Sequence, residues 1–290
     1  MYIYTLKPFI MFNAIKISLY KLVTTIFIYA LLYLVLSALF PSYNKAIVIF
    51  LFIFLSITIA LFYNFSIFKI EYFGYSNKIW AHQVNTLKKL DLVQSNYAGI
   101  ELDIVFDSTS NTFDVHHPPE LSIGLTLETY LSHLKSPKNI GIWLDFKNLS
   151  LENKEKALER LSFLVEKYFL QKEYIIVESP LPEFLKDYEN SGFLTSYYLP
   201  TTLHTLTSET LTDKIEEINK KIKAYPTTAI STNLVDYPII AKYFPKQKKY
   251  LWALHKTYSA PIFTNFRRTR SALKDNTVQV LLVHVYTLKS

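Results

Sequence analysis

Two long stretches without a charged residue restrict what the start of this chain can form. Residues 22–44 and residues 46–68 each run for 23 positions without Asp, Glu, Lys or Arg, and only Lys45 separates them. About 20 apolar residues, at 1.5 Å of rise per residue, cross the roughly 30 Å hydrocarbon layer of a bilayer. We therefore predict two transmembrane helices, at about 22–40 and 46–68. A cleaved signal peptide is the alternative, but its apolar core is only about 7–15 residues long and no second span follows it.

The formal net charge of +7 is distributed unevenly along the chain. Residues 1–70 hold five lysines and no acidic residue, whereas residues 71–290 hold 26 basic and 24 acidic side chains. A nucleic-acid-binding domain concentrates its basic residues in the folded part, so we expect no nucleic-acid partner. Three lysines precede the first predicted span and one lies in the hairpin. The positive-inside rule then predicts an integral membrane protein whose N-terminus and residues 71–290 are both cytoplasmic.

After residue 70, short β-type runs alternate with helical stretches. Apolar periodicity predicts helices over 151–169 and 208–225, the second capped by Ser208, and a third helix that starts at Thr126. The predicted strands are residues 79–84, 99–106, 112–116, 141–146, 174–178, 194–198, 228–232, 251–255 and 278–286. This alternation indicates one α/β domain over residues 71–290 with a parallel sheet, open or closed. Nine predicted strands are one more than a closed parallel α/β barrel has, which suggests that one of them is an extra strand or is wrongly assigned.

Charged residues lie inside two of these strands, where a parallel sheet favours Val, Ile and Leu. Glu101 and Asp103 in GIELDIVFD are two residues apart and so share one face, as do Asp145 and Lys147 in GIWLDFK. Burial of unpaired carboxylates costs several kcal/mol. Contacts with lysines or water at the strand ends are one explanation. Three acids on two strands favour a metal site, and oxygen-only ligands favour a hard cation, Mg²⁺ or Ca²⁺. With no cysteine in the chain, thiol catalysis and cysteine-ligated zinc are excluded.

Histidines end two of the predicted strands. His82 lies in WAHQVNT, and His116 and His117 lie in FDVHHPPE, where the following proline breaks the strand. In parallel α/β folds, functional residues collect at the C-terminal ends of the strands. A single histidine there is more often structural, but together with three carboxylates these residues predict a site. We interpret the remaining histidines as structural or surface residues: His133, His204, His255 and His284.

The four motifs WAHQVNT, GIELDIVFD, FDVHHPP and GIWLDFK, in this order, resemble the menorin family. That family is related to the glycerophosphodiester phosphodiesterases in the phospholipase-C-like phosphodiesterase superfamily. The resemblance covers residues 79–147 and implies a TIM-type (β/α)8 barrel, here preceded by two transmembrane helices. It also implies roles for six residues: His82, His117 and Lys147 as catalytic residues, and Glu101, Asp103 and Asp145 as ligands of a divalent cation.

This chain departs from the pattern of the phosphodiesterases after the first histidine. Gln83 and Val84 replace an Arg-Gly pair, and Asn85-Thr86 remain from a Glu-Asn-Thr run without its Glu. A phosphate-binding arginine and one metal ligand are therefore missing, which puts glycerophosphodiester specificity in doubt.

The resemblance and the predicted anchor together indicate a membrane-anchored, metal-dependent phosphodiesterase. Its expected substrate is a phosphodiester, such as a (lyso)phospholipid or a glycerophosphodiester, cleaved by histidine acid/base catalysis. Hydrolysis and intramolecular cyclisation remain open, as does which histidine is the acid. The alternative function is a catalytically inactive barrel that serves as a membrane-anchored binding or scaffold protein. The two differ in geometry, because an enzyme needs the three carboxylates and both histidines in one pocket.

Overall fold

The computed structural model describes residues 27, 30–41, 45, 47–55, 70–253 and 262–285. Its contacts divide the chain into two compact units: residues 1–73 with 255–269, and residues 74–254 with 270–290.

The first unit contains the region of the two predicted spans. Residues 30–39 and 47–55 are helical. Among the described residues, no helix is both long enough and apolar enough to cross a membrane. Large parts of the predicted spans, residues 22–26 and 56–68, lie outside the described residues. The two transmembrane helices therefore stay predictions.

The second unit is built on nine strands. They are β1 (Ile79–His82), β2 (Gly99–Asp107), β3 (Thr112–Val115), β4 (Gly141–Phe146), β5 (Ile175–Ser179), β6 (Leu194–Tyr198), β7 (Ala229–Asn233), β8 (Lys249–Ala253) and β9 (Val278–His284). Each strand overlaps one of the nine predicted from the sequence, with ends that differ by at most a few residues. The β-type runs were identifiable because most are flanked by polar turn residues.

Eight of the strands form a closed parallel barrel of the TIM type. Neighbours pair in the order β1, β9, β8, β7, β6, β5, β4, β2, and a parallel pairing of β1 with β2 closes the ring. The extra strand is β3, which runs antiparallel along the C-terminal half of β2. The turn between them is tight: Asn111 has φ +52° and Asp107 Oδ1 accepts a hydrogen bond from the Thr109 N–H.

The helices of the described residues follow the strands. They are α1 (Leu87–Val93), α2 (Leu127–Ser132), α3 (Lys154–Lys167), α4 (Lys186–Asn190), α5 (Ser208–Ala224), α6 (Tyr237–Tyr243) and α7 (Ile262–Lys274). The three predicted helices are confirmed as α2, α3 and α5. Thr126, where the third helix was predicted to start, is the N-cap of α2 and accepts a hydrogen bond from Thr129 N–H. The cap of α5 was wrong by one residue: Thr207, in an extended conformation, accepts from Thr210 N–H, and Ser208 is already helical.

A tryptophan fills the lower part of the barrel interior. Trp80 on β1 projects inward, and its indole covers Gly99 on β2 and Gly141 on β4. A Cβ atom on either glycine would lie 2.2 Å from an atom of the indole ring. Both strands therefore begin with glycine because no side chain fits beneath the indole. Around it pack other inward-facing apolar side chains, among them Ile176 and Val280, so the base of the barrel is a packed core.

Candidate active site

The polar residues of the site project from the C-terminal ends of the barrel strands. On β2, alternation turns Glu101 and Asp103 to the interior, above Gly99, and both side chains are buried. On β4, Asp145 also faces the interior, is partly buried, and is the register partner of Asp103. The three carboxylates offer oxygen atoms that all lie within 4.8 Å of one another. The parallel register is what brings the predicted acids of two separate sequence motifs together.

Lys147 supplies a positive charge to this cluster. Its Nζ lies 2.8 Å from Asp103 Oδ1 and 2.5 Å from Asp145 Oδ2. Burial alone would lower the pKa of Lys147, but Asp145 and Asp103 outweigh burial and raise the pKa above its usual value. Lys147 is therefore a permanent cation at neutral pH and offsets one of the three carboxylates.

Burial and like charges disfavour the ionised form of Glu101. Burial raises its pKa well above the usual value, and the neighbouring Asp103 and Asp145 raise it further. The Gln83 N–H, which donates to Glu101 Oε2 at 2.6 Å, acts in the opposite direction. Oxygen atoms that repel one another in a buried cluster are the donor set that Mg²⁺ and Ca²⁺ prefer. The residues present therefore fit a hard divalent cation, which Glu101, Asp103 and Asp145 would hold.

The two predicted histidines lie beside different carboxylates. His82 Nε2 is 3.6 Å from Glu101 Oε2, and His117 Nε2 is 4.0 Å from Asp103 Oδ1. Burial lowers the pKa of His82 to about 3, against an opposing contribution from Asp103. His117 stands in the loop after β3, with its side chain 38% exposed. All six predicted site residues thus line one pocket of about 470 Å³, part of it open to solvent.

The other predicted histidine of the HHPP run points elsewhere. His116 Nδ1 lies 2.9 Å from Asp114 Oδ2, on the opposite face of β3. Of the histidines interpreted as structural, His133 bonds to the Thr129 carbonyl of its own helix and His204 to Asp236. His284 is the register partner of His82 at the barrel closure. His255 lies outside the described residues.

A turn that sequence reasoning did not single out supports the first histidine. Gln83, directly after His82, has φ +52°, a conformation unusual for a residue with a side chain. Lys89 Nζ donates to the carbonyls of His82 and Gln83 at 2.8 and 2.9 Å. Asn85 bonds Asp103 twice: its Nδ2 donates to Oδ2 at 2.6 Å, and its Oδ1 accepts from the backbone N–H at 3.0 Å. The segment after His82 therefore fixes two of the three carboxylates.

Part of the pocket lining was also not predicted from the sequence. It consists of Glu178 of β5, Tyr198 of β6, Trp252 of β8 and Trp143 of β4. Burial and the charge of Asp145 raise the pKa of Glu178 to about 8, although hydrogen bonds from serine hydroxyls oppose the shift. The signal was present in the sequence, because Glu178 is an acidic residue within an otherwise apolar strand, as Asp145 is.

Comparison with known proteins agrees with this architecture. The family model of the menorin N-terminal domain matches residues 76–176, which confirms the resemblance found in the motifs. A glycerophosphodiester phosphodiesterase from Parabacteroides distasonis has a TM-score of 0.50 and 16% identity, covering 72% of this chain and 94% of that chain. A protein of Agrobacterium tumefaciens, assigned by name as a glycerophosphoryl diester phosphodiesterase, has a TM-score of 0.51 and 12% identity, covering 71% and 92%. No curated protein matches the chain.

These solved structures are too different in sequence to show more than the fold. The family match covers the part of the chain that carries β1 to β4 and the six predicted site residues. Over residues 76–176 the chain is therefore similar to menorin N-terminal domains, and its barrel has the fold of the glycerophosphodiester phosphodiesterases.

Proposed function

We propose that this protein is a divalent-cation-dependent phosphodiesterase. The observation that carries the proposal is the convergence of three carboxylates, one lysine and two histidines on one pocket at the C-terminal end of a TIM-type barrel. That end of the barrel is where TIM-barrel enzymes have their active sites. The similar solved structures are named as glycerophosphodiester phosphodiesterases, which supports the same reaction class.

Charge complementarity explains why this pocket suits an anionic diester. A divalent cation bound by Glu101, Asp103 and Asp145 supplies Lewis-acid stabilisation of charge on the phosphoryl oxygens. Lys147, between Asp103 and Asp145, keeps a second positive charge at the same place. Both charges lie in a largely buried site, where electrostatic stabilisation is stronger than in water.

The histidines divide the proton transfers. His82, whose Nε2 lies 3.6 Å from Glu101 Oε2, accepts the proton of the attacking hydroxyl as that oxygen bonds to phosphorus. His117, the more exposed of the two, donates a proton to the alkoxide that leaves as the phosphorus–oxygen ester bond breaks. When water is the attacking group, the products are a phosphomonoester and an alcohol. When a hydroxyl of the substrate attacks, the product is a cyclic phosphodiester.

The test is an activity panel on the full chain in detergent. Glycerophosphodiesters and lysophospholipids are incubated with and without Mg²⁺ or Ca²⁺, and products are separated by phosphorus NMR, which distinguishes a monoester from a cyclic diester. We expect turnover that chelation abolishes, and loss of at least about 10²-fold for His82→Ala or His117→Ala. No turnover on any diester, from a folded protein that binds the cation, would favour the inactive scaffold instead.

The metal ligands are tested separately from activity. Glu101→Gln combined with Asp103→Asn removes two negative charges at nearly constant volume. We expect this variant to lose divalent-cation binding in titration calorimetry. Glu173→Gln, the same change at an exposed glutamate before β5, is the control and should bind as the unmodified protein does. Unchanged affinity in the double variant would contradict the ligand assignment.

We further propose that the protein is anchored in a membrane by two spans, with the barrel on the cytoplasmic side. Helical residues 30–39 and 47–55 expose large apolar side chains, including Leu34, Phe50 and Phe54 at 63%, 67% and 61%, which favours a lipid environment. A (lyso)phospholipid would then be available at high local concentration. Alkaline carbonate extraction should leave the full chain in the membrane pellet, and release to the supernatant would contradict the anchor.

A further inference from the structure

We propose that the loop of residues 116–125 docks the mouth of the pocket onto a phospholipid surface, with Leu121 and Ile123 inserted among the lipids. The inference rests on the proposed phosphodiesterase function and names the surface from which the substrate is taken. Its basis is a pair of exposed aliphatic side chains beside the site, to which neither the sequence motifs nor the proposed chemistry gives a role.

The two side chains, together called the apolar tip, are highly exposed. Leu121 is 90% exposed, the largest fraction of any large apolar side chain that the structure describes, and Ile123 is 65% exposed. A single exposed leucine is common on protein surfaces. Here two such side chains lie within three residues, in a loop whose only fully charged residue is Glu120. Clustered exposure of this kind is typical of a surface that binds a partner.

Hydrogen bonds fix the loop in the conformation that exposes the apolar tip. The Val115 N–H donates to the Leu125 carbonyl at 2.8 Å, which closes the loop at its base. Next to the tip, the Gly124 N–H donates to Ser122 Oγ at 2.9 Å, and Gly124 has φ +71°, which glycine adopts without strain. Because the loop is already ordered, insertion of the tip costs little further conformational entropy.

The apolar tip also lies close to the reacting groups along the chain. His117, which lines the pocket, precedes Leu121 by four residues, and four residues span at most about 14 Å. The head-group region of one bilayer leaflet is roughly 5–8 Å thick. With Leu121 at the boundary of the hydrocarbon, His117 therefore lies in or just above the layer that contains the phosphodiester groups of the lipids.

The composition of the loop favours lipid over a protein partner. A stable protein interface takes about 20–30 residues from each side and is centred on aromatic or Arg side chains. Residues 116–125 contain no Phe, Tyr, Trp or Arg. Aliphatic side chains enter lipid without a complementary surface, and burial of one Leu or Ile favours the lipid by about tenfold or more. The apolar tip therefore suits a phospholipid surface.

Site-specific fluorescence tests the docking without requiring turnover. The chain has no cysteine, so Leu121→Cys and Ile123→Cys each provide a single attachment point for a dye. Tyr225→Cys is the control, since Tyr225 is exposed between α5 and β7, at the other end of the barrel. In vesicles that carry the full chain, we expect lipids brominated in their acyl chains to quench the dye at both loop positions and not at the control position.

Two fluorescence outcomes would overturn the docking surface: absence of quenching at either loop position, or equal quenching at all three positions. The first would mean that the apolar tip stays in water. The second would mean that the quencher does not distinguish the two ends of the barrel.

Turnover separates the docking surface from the proposed function. Leu121→Ser combined with Ile123→Ser removes the apolar tip and leaves the pocket lining intact. Leu92→Ser, the same change at an exposed leucine of α1, is the control. For a lysophospholipid in vesicles, we expect the double variant to raise KM at least about tenfold, because the tip no longer enters the lipid. For the soluble glycerophosphodiester with the same head group, we expect no change.

Each contrary result points to one of the two proposals. An unchanged KM for the lysophospholipid, or an equal rise for both substrates, would refute the docking surface and leave the phosphodiesterase intact. Quenching at both loop positions without turnover of any diester would leave the docking surface in place and refute only the enzyme.

Discussion

Lys89 shows how a residue outside the pocket lining can determine the geometry within it. It donates to the carbonyls of His82 and Gln83 and so holds the left-handed turn after the first histidine. That turn directs the Gln83 N–H to Glu101. Burial lowers the pKa of Lys89, while Glu101 and Asp103 oppose the shift. Lys89 is thus a positioning residue that acts on a proposed metal ligand, Glu101, through one backbone turn.

Replacement of Lys89 should therefore impair metal binding more than folding. We expect Lys89→Met to weaken divalent-cation affinity about tenfold, the lower range for residues that orient metal ligands. Lys89→Arg, which keeps the charge and the donors, should restore most of it. The exposed neighbour Lys88→Met is the matched control. Titration calorimetry measures the cation affinity and unfolding curves on the same samples measure the stability, which separates a loss of binding from a loss of folding. Equal loss of affinity in the Lys88 and Lys89 variants would contradict the positioning role.

At the scale of elements, the barrel strands were predictable because each carries a local signal. Short apolar runs bounded by polar turns mark most of the nine strands, and Glu101, Asp103 and Asp145 stand out against them. Long-range register was not predictable in the same way. That Glu178 lies next to Asp145 depends on the pairing of β5 with β4, and that β3 is antiparallel depends on the turn at residues 107–112. The first follows from tertiary pairing between strands distant in sequence, which no local pattern specifies.

The start of β4 provides a test of how the barrel base is packed. Gly141→Ala places a methyl group 2.2 Å from the Trp80 ring as it now stands. Since overpacking typically costs about 1–3 kcal/mol, we expect a loss of that size in the free energy of unfolding. Gly141→Ala combined with Trp80→Leu should lose less than the sum of the two single changes, because they share one contact. Denaturant unfolding of the four proteins measures the coupling, and strict additivity would contradict the contact.

The cap of α5 is tested at the same scale. Thr207 accepts the Thr210 N–H, so Thr207→Ala should lower the stability of the protein by about 1 kcal/mol. Ser208→Ala should have a much smaller effect, since Ser208 lies within the helix. Thermal unfolding of the two variants checks the prediction, and a larger loss for Ser208→Ala would return the cap to the position that the sequence suggested.

At the scale of the whole molecule, repulsion among the carboxylates of the site lowers the stability of the folded chain, and a bound cation would offset this cost. Glu101, Asp103 and Asp145 repel one another in the barrel, with only Lys147 between two of them. A cation that binds the folded state but not the unfolded state stabilises the protein by about 2.7 kcal/mol when its free concentration is 100 times Kd. For a barrel of this size that corresponds to about 5–10 °C in Tm.

We therefore expect saturating Mg²⁺ or Ca²⁺ to raise the Tm of the full chain in detergent by about 5–10 °C. Glu101→Gln combined with Asp103→Asn should abolish the response. Without metal, this variant should be at least as stable as the unmodified protein, because two mutually repelling carboxylates are gone. Scanning calorimetry gives the Tm of both proteins with chelator, with Mg²⁺ and with Ca²⁺. A metal-free double variant that unfolds well below the unmodified protein would mean that these carboxylates are needed for the fold, and that the barrel does not sacrifice stability to hold a cation.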